Sequence, residues 1–388
     1  MGKVFDFLKK NTMIIALVVV IFIFYQGTGH KILYPQNINN LLSQNAYVFV
    51  LATGMLLCIL TGGNIDLSVG SVIAFVGGIG AVMMAAKINI WVAVIVMLII
   101  GVGVGFFQGF WIAQIKVPPF IATLAGMYAF RGLSNVVLQG LTVGIESETF
   151  LKVFGGGADC YIPDFLGSNP NFNLVCMVAG IVGVVIYLAV TFIGRVQKIK
   201  KGYATEPLAK QIIISVVLSA VVIWLSYKLA CYKGIPTSLI WILLVVFVYA
   251  YITSKTAIGR HLYAVGGNEK ATRLSGINTK RVYLFAYVNM GFLAALAGIL
   301  VIARATNAQP TFGVGYEMDA IGACFIGGAS AYGGIGKVSG VIVGAILMGV
   351  INQGMSIMGI DANYQKVVKG LVLLIAIIFD IMSKKEKK

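Results

Sequence analysis

Charge is scarce in this sequence, and negative charge scarcest of all. Of 388 residues 11% are charged, with 13 Asp and Glu against 29 Lys and Arg. A soluble domain carries roughly 25% charged residues. No stretch is polar enough to fold separately in water, so no attached soluble domain is expected. Histidine occurs only as His30 and His261, and there is no H-E-x-x-H or Cys/His cluster, which argues against a zinc site. There is no G-x-S-x-G elbow and no grouping of acid, base and metal ligands, which argues against a membrane enzyme. None of the five cysteines pairs as C-x-x-C. Four of them lie in apolar runs and read as small hydrophobes, and only Cys160 falls in a polar loop. The string Gly333 to Lys337 (GGIGK) imitates a phosphate loop but lacks two of its requirements. Ala331 stands where the first glycine belongs, and Val338 stands where Ser or Thr must follow the lysine. No cofactor is expected on this chain.

What the sequence has is apolar length: 59% of it is hydrophobic. Long uncharged runs recur throughout and read as membrane spans. Their polar breaks predict twelve, at 12–27, 45–61, 67–86, 90–113, 119–139, 173–194, 210–230, 236–254, 282–303, 318–335, 339–357 and 365–382. The runs at 45–61, 67–86 and 318–335 are the weakest and suit broken or re-entrant segments, so the count is about 10–12. The first run follows Lys9 and Lys10 as a signal peptide would. The sequence after it lacks a small-x-small cleavage pattern, so it reads as a retained span. The fold class expected is all-α, a polytopic integral membrane protein with residues 1–388 forming one transmembrane domain.

The net charge of +16 would suggest nucleic acid on a soluble chain. On a membrane chain it reads as the positive-inside bias. Twelve crossings put both termini on one side. Taken as cytoplasmic, that side receives the segment Arg195 to Lys210, with five basic residues, and Lys255 to Arg281, with six. The longest segment on the other side, 140–172, holds Glu146, Glu148, Asp159 and Asp164 and reads either as a contact surface or lid, or as a linker. Glycine, at 47 residues, forms two four-residue ladders, Gly101–Gly105–Gly109 and Gly336–Gly340–Gly344. Such ladders suit close helix packing or a sliding pivot.

Between the eighth and ninth predicted spans, Gly266 and Gly267 are expected to break the chain. Asn268 suits an N-cap, Glu269 a first turn, and Gly276 a C′ position. A short capped helix at the membrane surface follows, and resting on headgroups is the simplest role for it. The segment also resembles the coupling helix of ATP-binding-cassette permeases of the simple-sugar class. Their string G-R-x-x-Y-A-x-G-G-N-E-x-A-x-R-L-S-G-I matches at Gly259, Arg260, Tyr263, Ala264, Gly266, Gly267, Asn268, Glu269, Ala271, Arg273, Leu274, Ser275, Gly276 and Ile277. Thr61 to Ser71, Pro119 to Leu124 followed by Phe130 to Gly132, and Gln365 to Leu371 resemble the same family, so the resemblance covers most of the chain.

The resemblance implies a vitamin-B12-importer-like permease architecture and a homodimer in a bacterial inner membrane. It also implies a cytoplasmic ATPase that carries the ATP and Mg, and an extracytoplasmic binding protein that delivers a monosaccharide such as xylose, ribose, galactose or glucose. In that reading the loop 255–281 is the coupling loop, with Gly259, Arg260, Gly267, Asn268, Glu269, Arg273 and Gly276 as its key residues. The departure is 173–233, two extra spans with a basic cytoplasmic loop, which resembles the xylose and multiple-sugar branch.

Candidate pathway residues are Asp66, Ser68, Ser71, Thr123, Arg131 and Asn135. Asp66 is either a solvated cap or part of a polar path with the two serines. Arg131 is either functional or a structural, snorkelling charge. Arg304, Asn307, Glu317 and Asp319 are expected at an external loop end, available to a partner. Nucleosides, an autoinducer or amino acids are alternative cargoes within the class. An ion-coupled carrier is disfavoured because its acids should lie at midplane, whereas here they read as loops and span ends.

Overall fold

The computed structural model describes residues 12–167, 169, 171–204 and 207–385. Over these the chain is almost entirely helical, and its one sheet is a two-stranded ladder. Seven helices are individually long and apolar enough to cross a membrane. They are α5 (Ile90–Phe110, continued by a π turn Trp111–Ile115), α6 (Pro119–Leu138), α8 (Leu174–Lys200), α9 (Leu208–Ala230), α10 (Thr237–Lys255), α13 (Thr279–Ala305) and α15 (Val338–Ile357). An eighth crossing is the bent pair α2 (Pro35–Gln44) and α3 (Ala46–Leu60), which meet at 43° around Asn45. The remaining long helices are α1 (Thr12–Gly27), α4 (Val69–Ala85) and α16 (Ala362–Lys385). Shorter pieces are α7 (Glu148–Phe154), α11 (Ala257–Gly267), α12 (Glu269–Leu274) and α14 (Tyr316–Ile326). The molecule is an all-α polytopic membrane protein.

α13 is the central post, with 78% of its most apolar window buried against 6% for α9. A polar or bulky face could not achieve this, and glycine makes it possible. Gly101, Gly105 and Gly109 of α5 lie against Gly291, Tyr287 and Leu284 of α13. A methyl on Gly105 would stand 2.8 Å from the Val288 backbone. This is the close approach that small residues permit. The second ladder is interrupted. Gly340 and Gly344 pack on Gly327 and Ala323, but Gly336 precedes the helix with φ +153 and takes no part in its face.

Loops sort consistently onto two ends. At one end Gly334 N–H donates to Leu60 O (3.1 Å), Tyr263 Oη to Gly336 O (2.8 Å), and Ala331 N–H to Asp380 Oδ2 (3.1 Å). At the other, Val143–Gly144 pairs antiparallel with Asn307–Ala308, and Tyr161 Oη donates to Asn39 Oδ1 (3.2 Å). The segment 140–172 is folded rather than a bare linker. Phe150 and Phe154 of α7 are buried, Trp241 Nε1 donates to Val153 O (3.0 Å), and Cys160 is also buried.

Two crossings are only half helical. Ile73 and Gly77 of α4 lie against Gly298 and Ile302 of α13, so the two helices run parallel. On that register α4 begins roughly 15 Å above Leu284, the level at which α5 ends. Residues 61–68 climb the half on the Leu60–Gly334 side without helix. α14 does the reverse. Its 11 residues span about 16 Å beside α3, from Tyr316, stacked on Tyr47, to Cys324, whose Sγ donates to Ala52 O (3.2 Å). Residues 309–315 run in from the Asn307–Ala308 end, reaching Gly70 at Gly313. The predicted span 318–335 is therefore displaced. The polar, glycine-containing 309–315 reads as an external loop but packs among the helices at Pro310 and Gly313, which are buried, while Thr311 and Val314 stay exposed. Irregular backbone is tolerated at membrane depth only where protein buries it.

Candidate functional site

Two places gather the sequence's candidate residues. The first is where the two half-helices meet. Asp66 is 4% exposed, and its Oδ1 accepts from Ser68 N–H (2.8 Å) and Ser68 Oγ (2.7 Å). Ser71 Oγ donates to Ser68 O (2.7 Å). Gln108 Nε2 of α5 donates to Ser68 Oγ (2.5 Å), while its own buried Oε1 has no partner. Burial removes the solvated-cap reading of Asp66. Arg131 donates from Nη1 to Pro310 O (2.7 Å) and Phe312 O (2.6 Å), so its charge saturates carbonyls of the non-helical descent. Glu317 lies beside Gly70, at the start of α14. Thr123 and Asn135 do not join this group. Thr123 is buried and donates to Pro119 O (2.9 Å), and Asn135 is exposed and donates to Arg131 O (3.1 Å).

Beside this junction lies a cavity of about 210 Å³ lined by Gln44, Tyr47, Arg304, Phe312 and Tyr316, among others. The rings of Tyr47 and Tyr316 stack with centroids 3.8 Å apart. Tyr47 Oη donates to Asp319 Oδ2 (2.6 Å), which also takes Lys369 Nζ (2.9 Å) and Asn352 Nδ2 (3.4 Å). Asp319 is wholly buried, so the expectation that it sits at an accessible loop end is wrong, while Glu317 is half-buried. The cause is again 309–315, which carries the start of α14 down into the membrane. Sequence reading missed Gln108, Tyr47 and Lys369. A lone Gln in an apolar run, and a lysine within the Gln365–Leu371 match, were the available signals.

The second place is the end that carries Tyr263 and Gly334. α11 and α12 form a helix–break–helix element, with Asn268 as the joint (φ −161, ψ 101). Asn268 Oδ1 accepts from Ala271 N–H (3.0 Å), as an N-cap should. Gly276 has φ +84, the left-handed C′ conformation. Gly266 and Gly267 do not break the chain. They form the last turn of α11, where Gly266 lets the element rest on Leu60 O and Gly334. Gly259 likewise lies on the Ile252 and Thr253 carbonyls, and Arg260 and Arg273 are exposed.

Glu269 does more than meet the helix dipole. It accepts from Lys116 Nζ (3.1 Å), Thr279 Oγ1 (3.1 Å) and Tyr283 Oη (3.1 Å). Burial opposes its ionisation, but the Lys116 hydrogen bond and charge, with Tyr283 and Thr279, outweigh it and hold the carboxyl below its usual range. Lys116 follows the π turn with φ +67, and its ammonium sits 5.3 Å from the Tyr283 ring centroid. One carboxylate thus ties α12 to the ends of both α5 and α13. Leu274, at 87% exposure, projects from the free side.

Residues 37–377 match the family described as branched-chain amino acid transport system / permease component. Among curated relatives, the xylose transport system permease protein of Escherichia coli (strain K12) is 34% identical over 388 residues, covering 97% of this chain and 93% of its own. Its counterpart in Haemophilus influenzae (strain ATCC 51907 / DSM 11121 / KW20 / Rd) is 34% identical over 385 residues, covering 98% of each. The ribose import permease protein of E. coli (strain K12) is 34% identical over 374 residues, covering 96% and 94%. No solved structure matches the chain. With the match running from α2 into α16, through both half-helical crossings and the α11–α12 element, the chain belongs to this family of transport permeases.

Proposed function

We propose that the chain is the membrane permease of an ATP-driven importer for a monosaccharide of the xylose and ribose kind. In this reading two copies work with cytoplasmic ATPase subunits and a sugar-binding protein outside, in a bacterial inner membrane, with both termini cytoplasmic. The observation that carries it is the Glu269 clasp. An isolated surface helix needs no side-chain tie to two spans, whereas a lever must transmit displacement. α12 is held rigidly to α5 and α13, with Leu274, Lys270 and Arg273 left outward for a partner. The relatives' names favour a sugar, and the cavity bounded by Tyr47, Phe312, Tyr316, Gln44 and Arg304 suits one, since neutral hydroxyls are met by rings and hydrogen-bonding groups.

The competing reading is an ion-coupled carrier. Its rejection cannot rest on acids being confined to loops, because Asp66 and Asp319 are buried at membrane depth and broken helices are common in such carriers. The decision rests on energy coupling. Proteoliposomes holding the chain, its ATPase and its binding protein should accumulate labelled pentose only with ATP inside. Accumulation by the chain alone, driven by an ion gradient, would overturn the proposal. Binding of a sugar panel to the external protein tests the cargo, and tight binding of a nucleoside or amino acid would replace the sugar.

A further inference from the structure

α8 and α9 form a hairpin that packs chiefly on itself. Its outer end is tied down. Asp164 accepts from the backbone N–H groups of Leu174 (2.7 Å) and Val175 (3.3 Å), and Asn173 N–H donates to Ala230 O (2.9 Å). Its inner end stands apart from α10, leaving a cleft of about 570 Å³ between the three helices.

The lining divides by chemistry. Tyr187, Val190 and Ile214 are apolar or largely so; Thr191, Gln211 and Ser215 are polar; Arg195, Lys198 and Lys255 are cationic. Arg195 donates from Nη1 to Gln211 Oε1 (2.6 Å), and Gln211 Nε2 donates to Thr191 O (3.4 Å), so this wall is built rather than loose. Ser215 is 2% exposed, lines the cleft, and its hydroxyl has no partner. A buried hydroxyl without a partner is costly and points to a missing acceptor.

We propose that this cleft binds the phosphodiester headgroup of an anionic phospholipid. A free anion needs only the cations. The apolar lining beside them matches an amphiphile, and a gap between spans is a place that lipid fills. Basic pockets between spans at one membrane face bind acidic headgroups by the same balance of charge and apolar contact. Lys255 is the last residue of α10 and Thr256 caps α11, so the headgroup lies beside the α11–α12 element. The extra hairpin thereby gives membrane composition a route to that element.

The test is native mass spectrometry of the full-length purified chain titrated with phosphatidylglycerol, cardiolipin or phosphatidylcholine. Wild type should retain one anionic lipid per chain in preference to phosphatidylcholine. Lys198→Gln/Lys255→Gln should weaken retention on the order of thirtyfold, given about one factor of five per cation. Lys200→Gln/Lys280→Gln, which removes equal charge outside the cleft, should change it by less than about threefold. Ser215→Leu should put an apolar side chain where the headgroup acceptor sits and weaken retention with no change of charge, which covers the case of a double variant that fails to fold. Equal weakening by both double variants would reduce the effect to diffuse charge and overturn the site. Equal retention of phosphatidylcholine would do the same. Stabilisation by inorganic phosphate as strong as that by lipid would assign the cleft to a free anion instead.

Discussion

Lys369 and Asp319 show why single residues matter more inside a membrane than on a surface. Their 2.9 Å contact has side-chain exposures of 17% and 0%, so neither charge is well solvated. Breaking a buried pair by removing one partner costs about 3–5 kcal/mol, because the other charge is stranded. Lys369→Met should therefore lower the melting temperature of the purified protein sharply, and Asp319→Asn/Lys369→Met should recover most of the loss. A loss in the double variant equal to the sum of the two single-variant losses would show that the two residues are not coupled. Glu269 is a different case, half open to water, and its value is positional. The charge-swapped chain Lys116→Glu/Glu269→Lys should regain part of the ATP-driven uptake that either single change removes. Because the folded carboxyl titrates below its ordinary value, its contribution is present above that value and is lost only as pH falls through the lowered one. Uptake should accordingly show no Glu269-dependent step between pH 7 and about 5.

At the scale of elements, packing and signalling are separable. Gly105 and Gly103 share one helix, but only Gly105 meets α13; nothing lies within reach of a side chain on Gly103. Gly105→Leu should abolish folded protein in a fluorescence size-exclusion assay, whereas Gly103→Ala should leave or slightly raise the yield, as alanine favours helix by up to about 1 kcal/mol over glycine. Leu274→Asp on α12 should leave yield and melting temperature unchanged while abolishing sugar-stimulated ATP hydrolysis in the reconstituted complex. A parallel loss of stability would instead make Leu274 a packing residue. The half-helices explain which elements could be read from sequence. Long spans such as α5, α8 and α9 announce themselves by uncharged length. α12 was equally legible, because Asn268, Glu269 and Gly276 are local signals for a cap, a first turn and a C′ residue. The descent 309–315 was not legible. Nothing in Gln309, Pro310, Thr311 or Gly313 states that the carbonyls of 310 and 312 are satisfied by an arginine some 180 residues earlier.

For the molecule as a whole, the pairing of loop ends is the firmest structural result, and it divides 143–144, 161 and 307–308 from 263, 334 and 380. Lys270→Cys and Glu146→Cys should thus react with membrane-impermeant maleimides from opposite sides, Glu146→Cys from outside. Labelling of both from one side would refute the topology.

Composition alone settled that the chain is a multi-span membrane protein, because 59% apolar residues in long uncharged runs have no other solvent. Spacing alone placed the capped helix and the glycine face of α5, since both are set within a few turns of one helix. Tertiary structure decided the rest. It put Asp66, Gln108, Arg131 and Glu317 around one junction, buried Asp319 on Lys369, and opened the cleft beneath the α8–α9 hairpin. Each of these depends on which distant segment satisfies a polar group in a medium without water, and that cannot be computed from neighbours in the chain.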